Sequence, residues 1–174
     1  MNRREFLYGT TALTLPVMAG CDNSDEPIAS IDTNYPVSPF GAKSTAEDVT
    51  LGLDLTGKTA VVTGCNSGLG YETMRVLAMR GAHVIGTGRN LEKASKACSS
   101  VTGKTTPVAL ELSNFDSIIE CADAIAKLSL PVDILVCNAG INTFSDLELV
   151  NGVERTFVVN HLGHFVLVNQ LMPL

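Results

Sequence analysis

The chain has 174 residues, 45% of them apolar, which is enough for one packed domain and excludes a wholly disordered chain. Only 17% of residues are charged and the net charge is −6, so nothing here would hold a nucleic-acid backbone by charge. Trp is absent, no apolar run approaches the roughly 20 residues of a membrane span, and five cysteines at this length do not make a disulfide scaffold.

The chain opens with Arg3-Arg4-Glu5-Phe6-Leu7 and a modest apolar stretch to Ala19. A charged start followed by a short apolar run is the pattern of an export signal. The arginine pair resembles a twin-arginine signal, the type that carries folded proteins across the bacterial inner membrane. Met18-Ala19-Gly20-Cys21 resembles a lipobox, which makes Cys21 the expected lipidated first residue of the mature chain. The expected location is the periplasmic or cell-envelope side, held to the membrane by that lipid. Residues 21–52 read as a flexible acidic linker: Pro27, Pro36, Pro39 and Gly41 interrupt any period, and six acids face one base.

The domain is expected over 53–174. Lys58 to Thr63 is an apolar, β-branched strand. Tyr71 to Met79 reads as a helix stopped by Gly81, and Ala82 to Thr87 as a second strand. A polar helix over Asn90–Ser100 precedes a third strand, Thr105–Leu112. Ile118, Ile119, Ala122, Ile125 and Ala126 recur at spacings of three and four in a helix over Ser113–Leu128. Val132 to Cys137 is a fourth strand, and the last helix is expected over Val153–Met172. Strands alternating with helices, each strand a solid apolar run, imply an α/β fold with a parallel sheet covered on both faces.

Between the first strand and its helix lies Thr63-Gly64-Cys65-Asn66-Ser67-Gly68-Leu69-Gly70. A glycine-rich turn opening a helix presents free backbone N–H groups to a phosphate. Gly64 permits the tight turn, Gly68 lets a pyrophosphate approach, and Gly70 allows helix to pack closely on strand. The alternative is a tight turn with no ligand.

These residues, with Cys137-Asn138-Ala139-Gly140 after the fourth strand and Asn160-His161-Leu162-Gly163-His164-Phe165 on the last helix, resemble the short-chain dehydrogenase/reductases. The wording is nearest to the retinol-dehydrogenase and WW-domain-oxidoreductase branch, and the resemblance covers about Gly57 to Leu174. It implies a Rossmann-type doubly wound sheet in the order 3-2-1-4, with about four of seven strands present. It implies that Gly64, Asn66, Ser67, Gly68, Leu69 and Gly70 cradle the pyrophosphate of a nicotinamide dinucleotide. Glu111 and Leu112 would stand beside the adenine, where the family carries Asp-Leu. Asn138, Ala139 and Gly140 would line the cofactor near the adenosine ribose. Arg89, with Asn90 behind it, lies just past the second strand; NAD-selective folds place an acid there for the ribose 2′-OH, and an Arg accommodates a 2′-phosphate. The expectation is therefore NADP(H) over NAD(H).

Asn160 resembles the first member of the family's catalytic Asn-Ser-Tyr-Lys set, in which Tyr moves a proton while the nicotinamide moves a hydride. None of Tyr8, Tyr35 and Tyr71 has Lys four residues later; those positions hold Ala12, Pro39 and Arg75. The sequence therefore reads as the N-terminal half of an oxidoreductase acting on an alcohol or carbonyl substrate, a homo-oligomer when complete. The alternative is a non-catalytic nucleotide-binding remnant or interaction module. No metal site is expected: His161 and His164 share a helical face without a carboxylate or Cys beside them, and Cys65, Cys98, Cys121 and Cys137 lack zinc spacing.

Overall fold

Thr59–Thr63 (β1) is buried at all five positions and pairs in parallel with two neighbours. The computed structural model that shows this describes residues 38–142 and 147–174. The twin-arginine-like segment, Cys21 and the linker as far as residue 37 lie outside the described residues. A short helix, Ala46–Val49 (α1), precedes β1. Gly68–Met79 (α2), His83–Gly88 (β2), Leu91–Ser99 (α3), Thr105–Ala109 (β3), Phe115–Ala126 (α4) and Ile134–Val136 (β4) follow. The order β3-β2-β1-β4, all parallel, is the expected one, with β1 and β2 in the centre.

Alternation along the strands builds two cores. Val61, Ile85 and Val108 face Ile118 and Ile125 of α4 and Leu167 of the last helix. Ala60, Val62 and Val84 face Met74 and Ala78 of α2 and Ala94 and Cys98 of α3. Each fully buried Val or Ile side chain contributes about 1.5–3 kcal/mol, so these two layers dominate the stability of the sheet. β4 borders β1 on one side only and is half-buried along its length, which leaves an apolar sheet edge among the described residues.

Three boundaries differ from the sequence reading. The helix expected from Val153 begins at Arg155, because Leu149–Val150 (β5) and Val153–Glu154 (β6) form an antiparallel hairpin. Its two-residue loop, Asn151-Gly152, has φ of 50° and 80°. Positive φ at both loop positions defines the turn that matches strand twist, and Asn-Gly is its preferred pair. The helical segment then runs as Arg155–Phe157 (α5), a π-turn over Val158–Leu162, and Gly163–Leu171 (α6). The third strand stops at Ala109 and not at Leu112, since β2 ends at Gly88 and the last cross-strand bond is Leu110 N–H to Gly88 C=O at 2.9 Å. Lastly, the compact unit extends from Phe40 to Leu174, ahead of the expected start at 53. Polar contacts, which hydropathy does not register, tie this earlier segment down. Thr45 and Asp48 form a reciprocal cap on α1, Arg75 pairs with Glu47 at 2.7 Å, and Arg80 donates to the Glu47 carbonyl at 2.7 Å.

Candidate functional site

A cleft of about 290 Å³ opens at the C-terminal ends of β1, β2 and β4. The loop after β1 forms its floor. Gly64 has φ +71° and Gly68 φ +59°, so the chain turns through left-handed backbone into α2. At Gly70 a Cβ would stand 2.2 Å from the Gly64 carbonyl oxygen and 2.3 Å from Asn138 Nδ2. Only glycine lets α2 approach this closely. The N-terminus of α2 also differs from its neighbours. Asn90 caps α3 by accepting from Lys93 N–H at 3.1 Å, and Asn114 caps α4, whereas Ser67 makes no side-chain cap to α2. The first amides of α2 are thus left for another acceptor, as an anion site requires.

The second wall is the segment after β4. Asn138 Nδ2 donates to the carbonyls of Thr63 and Gly64 at 2.8 and 3.3 Å, which stitches the end of β4 to the end of β1. Ala139 N–H donates to Thr63 Oγ1 at 2.9 Å. Asn160, inside the π-turn, brackets Ile141: its Oδ1 accepts from Ile141 N–H at 2.8 Å and its Nδ2 donates to Ile141 C=O at 2.9 Å. π-turns inside helices are found frequently at functional sites. Gly163 brings α6 against Leu112, whose carbonyl oxygen lies 2.4 Å from where a Cβ would be.

The far end is built by Thr87, Gly88 and Arg89 at the end of β2 and by Leu110, Glu111 and Leu112 past β3. Thr87 is fully buried and its Oγ1 has no hydrogen-bond partner among the described residues. At Gly88 the space a Cβ would take is already occupied by Asn66, whose Oδ1 is 2.2 Å away. Arg89 is exposed and has no ion-pair partner among the described residues. Glu111 turns its carboxylate back on its own loop, accepting from Ser113 N–H at 3.0 Å and Ser113 Oγ at 2.7 Å.

Of the residues singled out by sequence, Gly64, Asn66, Ser67, Arg89, Glu111, Leu112, Asn138, Ala139 and Gly140 line this one cleft. Gly68, Leu69 and Gly70 belong to the turn beside it without lining it, and Asn90 is engaged as the α3 cap. Asn160 reaches the cleft through Ile141 and does not itself line it. Thr87, Gly88, Leu110, Ile141 and Val159 also line the cleft and were not expected.

Other candidate groups stand apart. The Tyr71 hydroxyl bonds Ser100 Oγ at 2.9 Å, and Arg75 is held by Glu72 and Glu47. His161 packs on Phe157, with ring centres 5.1 Å apart, while His164 is buried beside Thr63. Cys65, Cys98 and Met74 gather their sulphurs over Gly86, each within 2.9 Å of where its Cβ would be. Cys98 Sγ donates to Met74 Sδ at 3.6 Å, and the closeness of the two thiols, with burial, drives the Cys65 pKa upward while that of Cys98 falls below the ordinary range. Burial alone pushes the Cys121 thiol up to about 12.

A family profile described as short chain dehydrogenase matches residues 58–174. The chain belongs to the short chain dehydrogenase family. Relatives include the human WW domain-containing oxidoreductase, 40% identical over 137 residues, which are 76% of this chain and 33% of that one. The chloroplastic short-chain dehydrogenase TIC 32 A of Brassica napus is 39% identical over 141 residues, 78% of this chain and 44% of that one. The chain thus spans about a third of the length of the first of these and under half of the second. Among solved structures, a metagenomic short-chain oxidoreductase in complex with NADP superposes with a TM-score of 0.62 at 29% identity, over 68% of this chain and 57% of that one. The Pseudomonas aeruginosa RhlG/NADP complex gives 0.62 at 30% identity, over 70% and 48%. The family is one of oxidoreductases that bind a nicotinamide dinucleotide.

Proposed function

We propose that this chain is the cofactor-binding half of an NADP(H)-dependent oxidoreductase acting on an alcohol or carbonyl substrate. The observation that carries the choice of NADP(H) over NAD(H) is the end of β2. An acidic side chain at position 88 would have to displace Asn66, which fills that space, and the next residue is the exposed Arg89, without an ion-pair partner among the described residues. An acid at that strand end binds the 2′-OH of NAD, and an Arg accommodates the extra phosphate of NADP. The residues fit the group on three further counts: the α2 amides without a side-chain cap, the glycine turn that brings backbone to the cleft, and the buried Thr87 hydroxyl, which has no partner among the described residues. Two solved relatives that hold NADP support the reading.

In this reading Gly64 to Gly70 hold the pyrophosphate, Arg89 the 2′-phosphate, Glu111 and Leu112 the adenine, and Asn138 to Gly140 the ribose. The bound nicotinamide supplies hydride chemistry. Asn160 holds the Gly140–Ile141 backbone of the cleft wall in place through the pair of bonds to Ile141. No tyrosine in the sequence has lysine four residues on, so the roles proposed for these residues are those of holding the cofactor. The second reading, a non-catalytic nucleotide-binding module, rests on that same feature. We further propose export by the twin-arginine-like segment and lipidation at Cys21; an intact mass of the mature chain lacking residues 1–20 and carrying a lipid supports this, and an unprocessed mass contradicts it.

Calorimetric titration with NADP⁺ and NAD⁺ tests the cofactor choice. The parent chain binds NADP⁺ more tightly, and Arg89→Ala lowers NADP⁺ affinity about tenfold while leaving NAD⁺ within about twofold. Equal loss for both nucleotides contradicts the assignment of Arg89.

A further inference from the structure

His164 is 6% exposed, and both of its ring nitrogens have hydrogen-bond partners. Nδ1 lies 3.3 Å from the carbonyl oxygen of Asn160, and Nε2 lies 2.9 Å from Thr63 Oγ1. A carbonyl can only accept, so Nδ1 carries the proton of the neutral ring and Nε2 presents its lone pair. The Thr63 hydroxyl has one proton to give. Its alternatives are His164 Nε2 at 2.9 Å and the Val136 carbonyl at a marginal 3.4 Å, so the proton goes to His164. With that proton fixed, the Thr63 oxygen is aimed to receive Ala139 N–H at 2.9 Å. Every donor in the chain of bonds has one acceptor.

The consequence is a clamp on the 138–141 segment from a single helical turn. The Asn160 side chain holds Ile141, and three bonds running from the Asn160 carbonyl through His164 and Thr63 hold Ala139. We propose that neutral His164 is a positioning residue for the dinucleotide cradle, fixing through Thr63 the Ala139 amide that forms one wall of the cleft, and that a proton on His164 loosens this wall. The proposal rests on the reading of the cleft as a dinucleotide site.

A charged ring would donate from both nitrogens. It would force the Thr63 proton onto the distant Val136 carbonyl and leave a cation in the core with no counter-ion. The groups on the elements packed around it offer none. Thr63 and Val136 are neutral, Cys121 of α4 is held as the thiol, and the acids of α4, Asp116, Glu120 and Asp123, are exposed. Cys137, just past β4, is also pushed toward the thiol by burial. Burial is accordingly the main influence on His164 and holds its pKa below the ordinary histidine value.

The test uses the full chain, His164→Gln and His164→Leu. Gln keeps an acceptor for Thr63 and cannot titrate; Leu fills space and accepts nothing. Nitrogen NMR of the parent at pH 7.5 reads a ring protonated at Nδ1 only. Exchange of the Ala139 amide quickens about tenfold in His164→Leu and stays within about threefold of the parent in His164→Gln. NADP⁺ titrations at successively lower pH from 7.5 then show the parent weakening more steeply than His164→Gln. The 2′-phosphate of the ligand titrates near the same pH, so the difference between the two proteins is the readout. A ring protonated at Nε2, or Ala139 exchange indifferent to the loss of the acceptor, overturns the proposal, as do identical pH profiles. If NADP⁺ fails to bind the parent at pH 7.5, the cofactor reading falls, while the tautomer and exchange results still decide whether His164 holds the loop. Should His164→Leu not fold, the parent and His164→Gln decide the matter between them.

Discussion

Gly70→Ala separates the close contact under α2 from ordinary helix preference by the sign of its effect. In a helix interior, Gly to Ala stabilises by about 1 kcal/mol. At Gly70 the added methyl would lie 2.2 Å from the Gly64 carbonyl oxygen and 2.3 Å from Asn138 Nδ2, so backbone or Asn138 must move. Overpacking of this kind costs about 1–3 kcal/mol, and freeing Asn138 from the Thr63 and Gly64 carbonyls costs about as much again. The net expectation is a loss of about 3 kcal/mol, which for a unit of this size lowers Tm by roughly 10 °C. Gly68→Ala is the control. Its methyl meets nothing within 4 Å, and it bears only the strain of φ +59°, about 1 kcal/mol. Urea unfolding of the three proteins ranks them parent, Gly68→Ala, Gly70→Ala. A Gly70→Ala protein as stable as the parent, or more so, refutes the packing of α2 on the β1 turn described here.

Thr87→Val removes a buried hydroxyl that has no partner among the described residues, so stability holds or rises by up to about 1 kcal/mol, while NADP⁺ affinity falls about three- to tenfold; equal affinity shows that the ligand ignores this hydroxyl. Gly152→Val forces a branched residue to φ +80° in the hairpin loop and costs about 1–2 kcal/mol in urea unfolding, an effect absent if the Asn151-Gly152 turn does not form. Burial lowers the pKa values of His164 and His83, the latter also under Lys104, so both fold as neutral rings. The unfolded chain takes up protons near pH 6.5, so stability is complete above that value and falls as pH drops from 6.5 toward the lower folded values. The carboxylates of Asp133 and Glu154, lowered chiefly by hydrogen bonds from the Lys58 side chain and the Thr156 backbone, lend stability that fades only below their ordinary 3.8 and 4.5. Urea unfolding at pH 7.5, 6.5 and 5.5 therefore shows a decline, smaller in His164→Gln; a flat series contradicts the assignment of neutral buried rings.

The central strands were legible because their signal is local. Lys58 to Thr63 and Ala82 to Thr87 are short runs dominated by apolar and β-branched residues and preceded by glycine, and the structure buries Thr59–Thr63 and Val84–Thr87 on both faces. The glycine turn is legible for the same reason: Gly64 takes the left-handed turn and Gly70 the close helix packing expected of them. What escaped was of two kinds. The hairpin at 149–154 carries a visible signal, Asn-Gly between Val150 and Val153, but Val153 also fits the apolar pattern of the helix beyond it. The capped turn at Thr45–Asp48 likewise lay inside a stretch whose acidity reads as solvated chain; Arg75 and Arg80, some thirty residues away, are what hold it. The other kind had no local signal. Thr87 reads as one more strand residue until the end of β2 is seen to open into the cleft. His164 reads as part of a His pair until Thr63, 101 residues earlier, is seen to lie under it. The π-turn around Asn160 depends on hydrogen-bond register, which a periodicity of three and four does not resolve.

Amide NMR of the chain titrated with NADP⁺ tests the central claim most directly. The account predicts saturable shifts concentrated at Gly64–Gly70, Thr87–Arg89, Leu110–Leu112 and Asn138–Ile141, larger with NADP⁺ than with NAD⁺ at equal concentration. No saturable shift, or shifts scattered away from the C-terminal ends of β1, β2 and β4, contradicts it.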